Sequence, residues 1–294
     1  MLPLLSQFDL QNDAAYQQWR EQKLNHYPNS IEQLIVEVKD PRQLSRNEKK
    51  AMQICLDKTN MVIFSGSTGD DLDKEIPLKL GSQFGLKNLD NNAGAENDGI
   101  TSLEVKTDTW HKHYIPYTNH KIHWHTDGYY NELSEQIYGL QLHCVRPAEE
   151  GGENALMDHE IAYILLRDQN PDFIKVLMQD TVMTIPENRQ SDKVIRPDRT
   201  GPVFMATPNG QLHMRYTARK RNIIWHQDDM TQQALSALIT ILDSESDYIY
   251  RGTLQSGQGL ISNNVLHDRS GFNDGVGQSR LLYRLRYFDR TKGI

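Results

Sequence analysis

Residues 121–131, KIHWHTDGYYN, decide how the rest of the chain is read. On an extended segment, side chains at i and i+2 point the same way. His125 and Asp127 therefore converge, while Thr126 points away. Gly128 follows and lets the backbone turn beside them. Far along the chain, GLISNNVLHDRSGF (259–272) brings His267 to the end of a strand, and Arg280 follows thirteen residues later. Two imidazoles and one carboxylate can hold one face of an octahedral Fe(II) and leave three positions open.

Strand signals surround this segment. MVIFSG (61–66), TSLEVK (101–106) and IYGLQLHCV (137–145) precede or flank it. TVMTI (181–185), PVFMA (202–206) and QLHMRY (211–216) read as short strands around turns such as Pro208-Asn209-Gly210. YIYRGTL (248–254), GLISNN (259–264) and RLLYRLRYF (280–288) close the chain as strands. Helices are expected over 12–26 with Asn12 as cap, over 45–58 with Ser45 and Glu48 as a capping box, and over 229–244. Residues 158–179 carry helical spacing broken at Asn170-Pro171, and 66–100 read as loop with short elements. The implied fold is mainly β with inserted helices: a jelly-roll core with helices at its edge. One domain over 1–294 is expected, with a helical segment to about residue 60 and the core over about 61–290.

Composition narrows the function. The 294 residues are 37% hydrophobic and carry a net charge of −7, which argues against a general nucleic-acid or membrane-surface binder. Two cysteines, Cys55 and Cys144, make no disulfide framework and fit a reducing compartment. The start has no basic region before Asp9, and no apolar run reaches spanning length. A cytoplasmic protein with a small-molecule partner is expected; its oligomeric state is open.

A lone His-x-Asp/Glu carries little weight. With 11 histidines and 39 acidic residues, about 1.5 such tripeptides are expected by chance. The second one, His226-Gln227-Asp228, lies between Arg219-Lys220-Arg221 and an acidic helix start, and reads as a solvated helix entry capped by Asp228 or Asp229. His111, His113, His120 and His123 crowd the first; His123 is its strongest competitor, and Trp124 reads as packing. Alone, His267 would read as a buried histidine satisfied by backbone. On the last strand, positions 280, 282, 284 and 286 share a face, so Arg280, Arg284 and Arg286 point together. Such a face is either an exposed basic strand or a site for anions. Arg280 could grip a carboxylate bidentately and leave Arg284 to a second anionic group.

In combination, the WHTDG segment, GGENALMD (151–158), NNVLHDRSGF and the R-x-x-x-R strand resemble the TauD/TfdA family of Fe(II)/2-oxoglutarate-dependent dioxygenases. LGSQFGL (80–86) and MVIFSG resemble its early segments, and the likeness covers roughly 50–290. The resemblance implies a double-stranded β-helix, His125, Asp127 and His267 as iron ligands, and Arg280 on the tail carboxylate of 2-oxoglutarate. It implies O2 as oxidant, release of succinate and CO2, and Arg284 against an anionic substrate. The family often has Gly-Gly-Asp-Thr, whose threonine helps hold 2-oxoglutarate; here Asn154 stands there, and its amide can also donate. Tyr129, Tyr130 and Asn131 are candidates for the substrate wall, with rim packing as the alternative. A cupin-like metal-dependent isomerase would need the metal without Arg280, and a non-catalytic jelly-roll module would need neither. The prime substrate, expected to be small and anionic or zwitterionic, and the choice among hydroxylation, desaturation and heteroatom cleavage are not legible.

Overall fold

Local chemistry sets the helices. Ser45 Oγ accepts from Glu48 N and the Glu48 carboxylate accepts from Ser45 N, opening the Arg46–Thr59 helix with a reciprocal cap. Asn12 caps Asp13–Leu24, and Asp228 caps Asp229–Leu242. Asn170 ends His159–Gln169 and caps Pro171–Leu177, because proline cannot continue a helix but fits its first turn. The computed structural model describes residues 7–91, 96–108, 114–190, 193–219 and 221–292.

The chain gathers into two compact units, each assembled from separate stretches. The larger holds Pro28–His123, Ile137–Leu156 and Tyr250–Ile294. Its main sheet has six strands in the order 35–38, 61–66, 258–262, 139–146, 281–287, 101–103. The first pair is parallel and the other neighbouring pairs are antiparallel. One face buries Val62, Phe64, Ile261, Tyr283 and Leu285 against Met52 and Leu56 of the Arg46–Thr59 helix. The other face presents Leu142 and Leu260, which line an apolar cavity together with Leu156 from a second sheet. That sheet runs 250–252, 154–157, 266–269, 122–125. Two strand layers around an apolar interior give the jelly-roll core expected from the alternating runs.

Three elements differ from the sequence expectation. Ile35–Val38 is a strand inside the segment expected to be helical, paired in parallel with Ile63–Gly66. Glu75–Gln83 is a helix inside the expected loop; no side chain caps its start at Lys74, so the usual entry signal is missing. Asn188–Gln190, Lys193–Arg196 and Arg199–Gly201 add short strands that polar composition concealed.

The smaller unit takes in the N-terminal stretch to Tyr27, Trp124–Gln136 and Met157–Ile249. Phe8, Trp19, Tyr163 and Phe204 pack edge-on at its centre, with ring centroids 5.3–6.0 Å apart. Lys23 is buried against Asp158 at 2.7 Å and Glu160 at 2.5 Å, so its charge is paired where the His159–Gln169 helix begins. Among the described residues no helix is long and apolar enough to cross a membrane.

One buried histidine makes the larger unit sensitive to acid. His143 is fully buried, stacked on Phe64 at 5.9 Å and near-parallel to Tyr283 at 6.4 Å. Neither ring nitrogen has a hydrogen-bond partner, and burial pushes the imidazole down to about 4 from its ordinary 6.5. The folded state therefore binds fewer protons than the unfolded chain between those values. The neutral ring costs nothing above pH 6.5, and stability falls as pH drops toward 4. Between pH 7 and pH 5 the loss from this group is about 2 kcal/mol. Urea unfolding at both pH values should show His143→Phe losing less stability than wild type by about that amount; an unchanged pH dependence would mean that His143 is not the acid-sensitive group.

Candidate metal centre and co-substrate pocket

His125 closes the Ile122–His125 strand and forms an isolated antiparallel bridge with Thr217. Thr126 is fully buried and turned away, its Oγ1 accepting from Tyr216 N at 3.1 Å while its own N–H donates to Tyr216 O at 3.0 Å. Those bonds hold the backbone extended, so His125 and Asp127 share a face, with His125 Nε2 3.8 Å from Asp127 Oδ1. Gly128 has φ +68° and makes the turn, accepting from Asn131 N at 2.8 Å.

His267 reaches its place by a different route. Asn264 sits at φ +53°, a left-handed position that asparagine tolerates. Its Nδ2 donates to Ile137 O at 2.6 Å and fixes the turn into the Leu266–Arg269 strand. His267 Nδ1 lies 2.9 Å from Val265 O. A carbonyl only accepts, so Nδ1 carries the proton and Nε2 is left as the basic nitrogen. One ligand atom from each of His125, Asp127 and His267 lies within 4.8 Å of the other two. Two imidazoles and a buried carboxylate suit a divalent transition metal. His123 is exposed and lies outside this group, and Trp124 is buried packing. His111 and His113 lie outside the described residues.

The second tripeptide is what its context suggests. Asp228 Oδ1 accepts from Thr231 N at 2.9 Å as the helix cap, and Asp228 Oδ2 lies 2.7 Å from His226 Nδ1. The Thr231 hydroxyl, then His226, hold the Asp228 carboxyl down at about 2. His226→Ala should leave iron content and turnover within about twofold of wild type, as expected of a surface substitution far from such features. A loss of bound iron would put His226 in the metal site.

Arg280 immediately precedes the last strand, Leu281–Tyr287, and is 4% exposed. Its guanidinium makes no ion pair with any described residue and stands 5.0 Å from the centre of the Phe272 ring. Burial lowers its pKa, because an unpaired cation is costly away from water. Gly152 lies beside it, where a Cβ would meet Arg280 Nε at an ordinary 3.5 Å, so it is the positive φ of +72° that favours glycine there. Asn154 Nδ2 donates to Asp268 O at 2.8 Å, which ties the Asn154–Met157 strand to the strand bearing His267.

A second buried cation was hidden in the sequence. Arg269 is 4% exposed and 4.9 Å from the same Phe272 ring. Its Nη2 donates to Thr118 O at 2.7 Å and His120 O at 2.6 Å, while its Nε has no partner. Burial, then the neighbouring Arg280 charge, push it down to about 9. Its two-residue offset from His267 was the available signal: on a strand, both face the same way.

The remaining arginines separate. Arg284 lies in register with Leu142 and Thr101, and is half-buried. Arg286 is paired with Asp90, whose Oδ2 also accepts from Arg286 Nε at 2.9 Å, so its charge is answered within the protein. Tyr129 is buried and packs edge-on to Tyr130 at 5.1 Å. Asn131 Nδ2 donates to Glu135 O at 3.0 Å and braces the next turn.

Residues 23–286 match the model of the taurine catabolism dioxygenase TauD, TfdA family. The chain belongs to that family. Two uridine-5'-phosphate dioxygenases are similar to it. One, from Streptomyces sp, is 28% identical over 61% of this chain and 66% of its own length. The other, from Amycolatopsis sp, is 29% identical over 58% and 62%. The matched part thus spans just under two thirds of either relative. Among solved structures, AAD-2 in complex with Mn(II) and N-oxalylglycine aligns with TM-score 0.63 at 13% identity, covering 89% of this chain and 96% of that one. At that identity the match speaks for the shared fold. Within the TauD/TfdA chain described here, the family match takes in His125, Asp127, His267, Arg280 and Arg284.

Proposed function

We propose that this protein is an Fe(II)- and 2-oxoglutarate-dependent dioxygenase that oxidises, by hydroxylation, a C–H bond of a small anionic molecule. The observation that carries this is the convergence of His125, Asp127 and His267 to within 4.8 Å. Fe(II) with 2-oxoglutarate and O2 supplies the oxidising power, yielding succinate, CO2 and one oxygen atom for the substrate. His125 and His267 would bind as neutral imidazoles and Asp127 as a carboxylate, leaving room for co-substrate and O2. Arg280 would fix the tail carboxylate of 2-oxoglutarate, with Arg269 adding positive potential and Asn154 bracing the strand beside it. Tyr129 and Tyr130 would wall off water from the reacting carbon, Asn131 would shape the turn behind them, and Arg284 would meet the prime substrate.

The activity for which the two relatives are named makes a nucleoside 5'-phosphate the first substrate class to test. The free thiols Cys55 and Cys144 support a reducing, cytoplasmic setting. The test is succinate formation with Fe(II), O2 and 2-oxoglutarate across nucleoside phosphates, amino acids, sulfonates, phosphonates and betaines. Succinate that depends on one of these supports the reading. Metal binding without any 2-oxoglutarate consumption would favour a non-oxidative jelly-roll enzyme, and binding of neither would favour a non-catalytic module.

A further inference from the structure

The backbone from Thr118 to Lys121 leads into the Ile122–His125 strand, which ends on the first candidate metal ligand. It follows the short helical turn Ile115–Tyr117 and lies outside any strand. Thr118 Oγ1 shapes the bend, donating to Ile115 O at 2.8 Å and accepting from His120 N at 3.3 Å. The three carbonyls from 118 to 120 are all answered by one turn of the chain, residues 269–272. Arg269 Nη2 donates to Thr118 O at 2.7 Å and to His120 O at 2.6 Å, and Phe272 N donates to Asn119 O at 3.1 Å. On its other side the same turn is held to residues 152–153: Ser270 N donates to Glu153 O at 2.8 Å, and Gly271 O accepts from Gly152 N at 3.1 Å. His267 stands two residues before Arg269 on the Leu266–Arg269 strand, which neighbours Ile122–His125 in its sheet.

A cation is a costly brace at this place. Arg269 is 4% exposed, and among the described residues no carboxylate stands at ion-pair distance from it. A second buried guanidinium, Arg280, lies on the same Phe272 ring, at 5.0 Å against 4.9 Å for Arg269. Two like charges on one ring oppose each other, and a buried charge without a counter-ion costs stability. The last strand shows the cheaper arrangement, since the buried Arg286 is met by Asp90. Arg269 has only carbonyl dipoles. What it supplies in return is geometry: a planar guanidinium fixes the direction of every N–H it offers. Its partners are the entry to one ligand strand, and it springs from the end of the other.

We propose that Arg269 is a positioning residue for the candidate metal centre. It clamps the Thr118–His120 backbone, from which the His125 strand starts, to the strand bearing His267, so that the two imidazoles keep the spacing a metal needs. Ligands held in place bind more tightly because less ordering is left to the binding step. The role rests on the dioxygenase reading for the identity of the metal. Metal affinity is measured without turnover, so the two ideas fail separately.

The experiment titrates Co(II), an oxidation-resistant substitute for Fe(II), into the metal-stripped full chain by calorimetry. The visible Co(II) spectrum and a thermal melt are recorded on the same preparations. Arg269→Met keeps an apolar stem and removes the donors. It should weaken Co(II) binding by about tenfold, the low end of the range for groups that orient metal ligands, and shift the Co(II) band. Arg269→Lys keeps the charge on a shorter side chain without the planar group, and should recover only part of the affinity. Arg167→Met is the matched control. Arg167 is also buried and also donates to backbone carbonyls, Gln7 O at 3.1 Å and Asp9 O at 3.3 Å, but in the other unit. Its replacement should lower the melting temperature and leave Co(II) affinity within about twofold. With Co(II) affinity and band unchanged in Arg269→Met, an early melt would make Arg269 a structural brace, and a weakened 2-oxoglutarate complex would place it in the co-substrate pocket; either overturns the positioning role. An equal loss of Co(II) affinity in Arg167→Met overturns it too, since affinity would then follow general stability. If Arg269→Met does not fold, Arg269→Lys decides: weaker Co(II) binding by the folded protein supports the role, and unchanged binding overturns it. If Co(II) binding behaves as expected but no 2-oxoglutarate is consumed with Fe(II), the positioning role stands and the dioxygenase reading falls.

Discussion

His125→Ala, Asp127→Ala and His267→Ala should each bring 2-oxoglutarate-dependent turnover down to background, a fall of well over about 100-fold. Removal of an outer partner of a metal ligand already costs roughly 10- to 100-fold, and these residues would be the ligands themselves. The fold should survive. His125 lies at a strand end, and the turn before His267 is fixed by the Asn264 side chain. Asp127→Ala also removes a buried negative charge, which relieves the apo chain of a desolvation cost. Iron content, succinate formation and a thermal melt on the same preparations check all three points. Full activity in any one variant removes that residue from the site. A variant that melts early and keeps its iron would make the residue structural. His123→Ala is the matched control, since that imidazole is exposed on the same strand and lies outside the ligand group.

What the sequence disclosed follows from how local each signal is. Ser45 with Glu48, Asn170 before Pro171, and Asp228 before its helix are bonds within a few residues, and each is present. The metal pair was legible for the same reason: His125 and Asp127 are two residues apart, and the strand period does the rest. The Ile35–Val38 strand is different. It exists because it pairs in parallel with Ile63–Gly66, and nothing within its four residues announces that partner. Arg286 shows the same limit in a side chain. Its place on a basic face suggested an anion from outside, yet the answering carboxylate, Asp90, stands 196 residues earlier in the chain. Arg269 was overlooked because HDR reads as an ordinary polar run until the strand places it beside Phe272 and Arg280.

Arg280→Ala should weaken 2-oxoglutarate binding by about 2–4 kcal/mol, roughly 30- to 1,000-fold, the range for stripping one partner from a buried charged pair. The structure sharpens the reason. Arg280 is 4% exposed, has no ion pair among the described residues, and lies against the Phe272 ring with Gly152 beside its Nε. Such a cation gains most from a carboxylate that completes it. Fe(II) affinity should change little, because Arg280 is not among the ligand group. Arg284 should behave differently. It sits four residues along the strand, level with Leu142 and Thr101, and Arg284→Ala should act on the prime substrate while 2-oxoglutarate still binds. Titrating 2-oxoglutarate into each anaerobic Fe(II)-loaded variant, and following the visible charge-transfer band of the chelate, separates the two. Loss of the band in Arg284→Ala with its retention in Arg280→Ala would reverse the assignment along the strand. Unchanged affinity in both would mean that the tail is held elsewhere, and Arg269, on the same phenyl ring and short of a partner at Nε, is then the residue to replace.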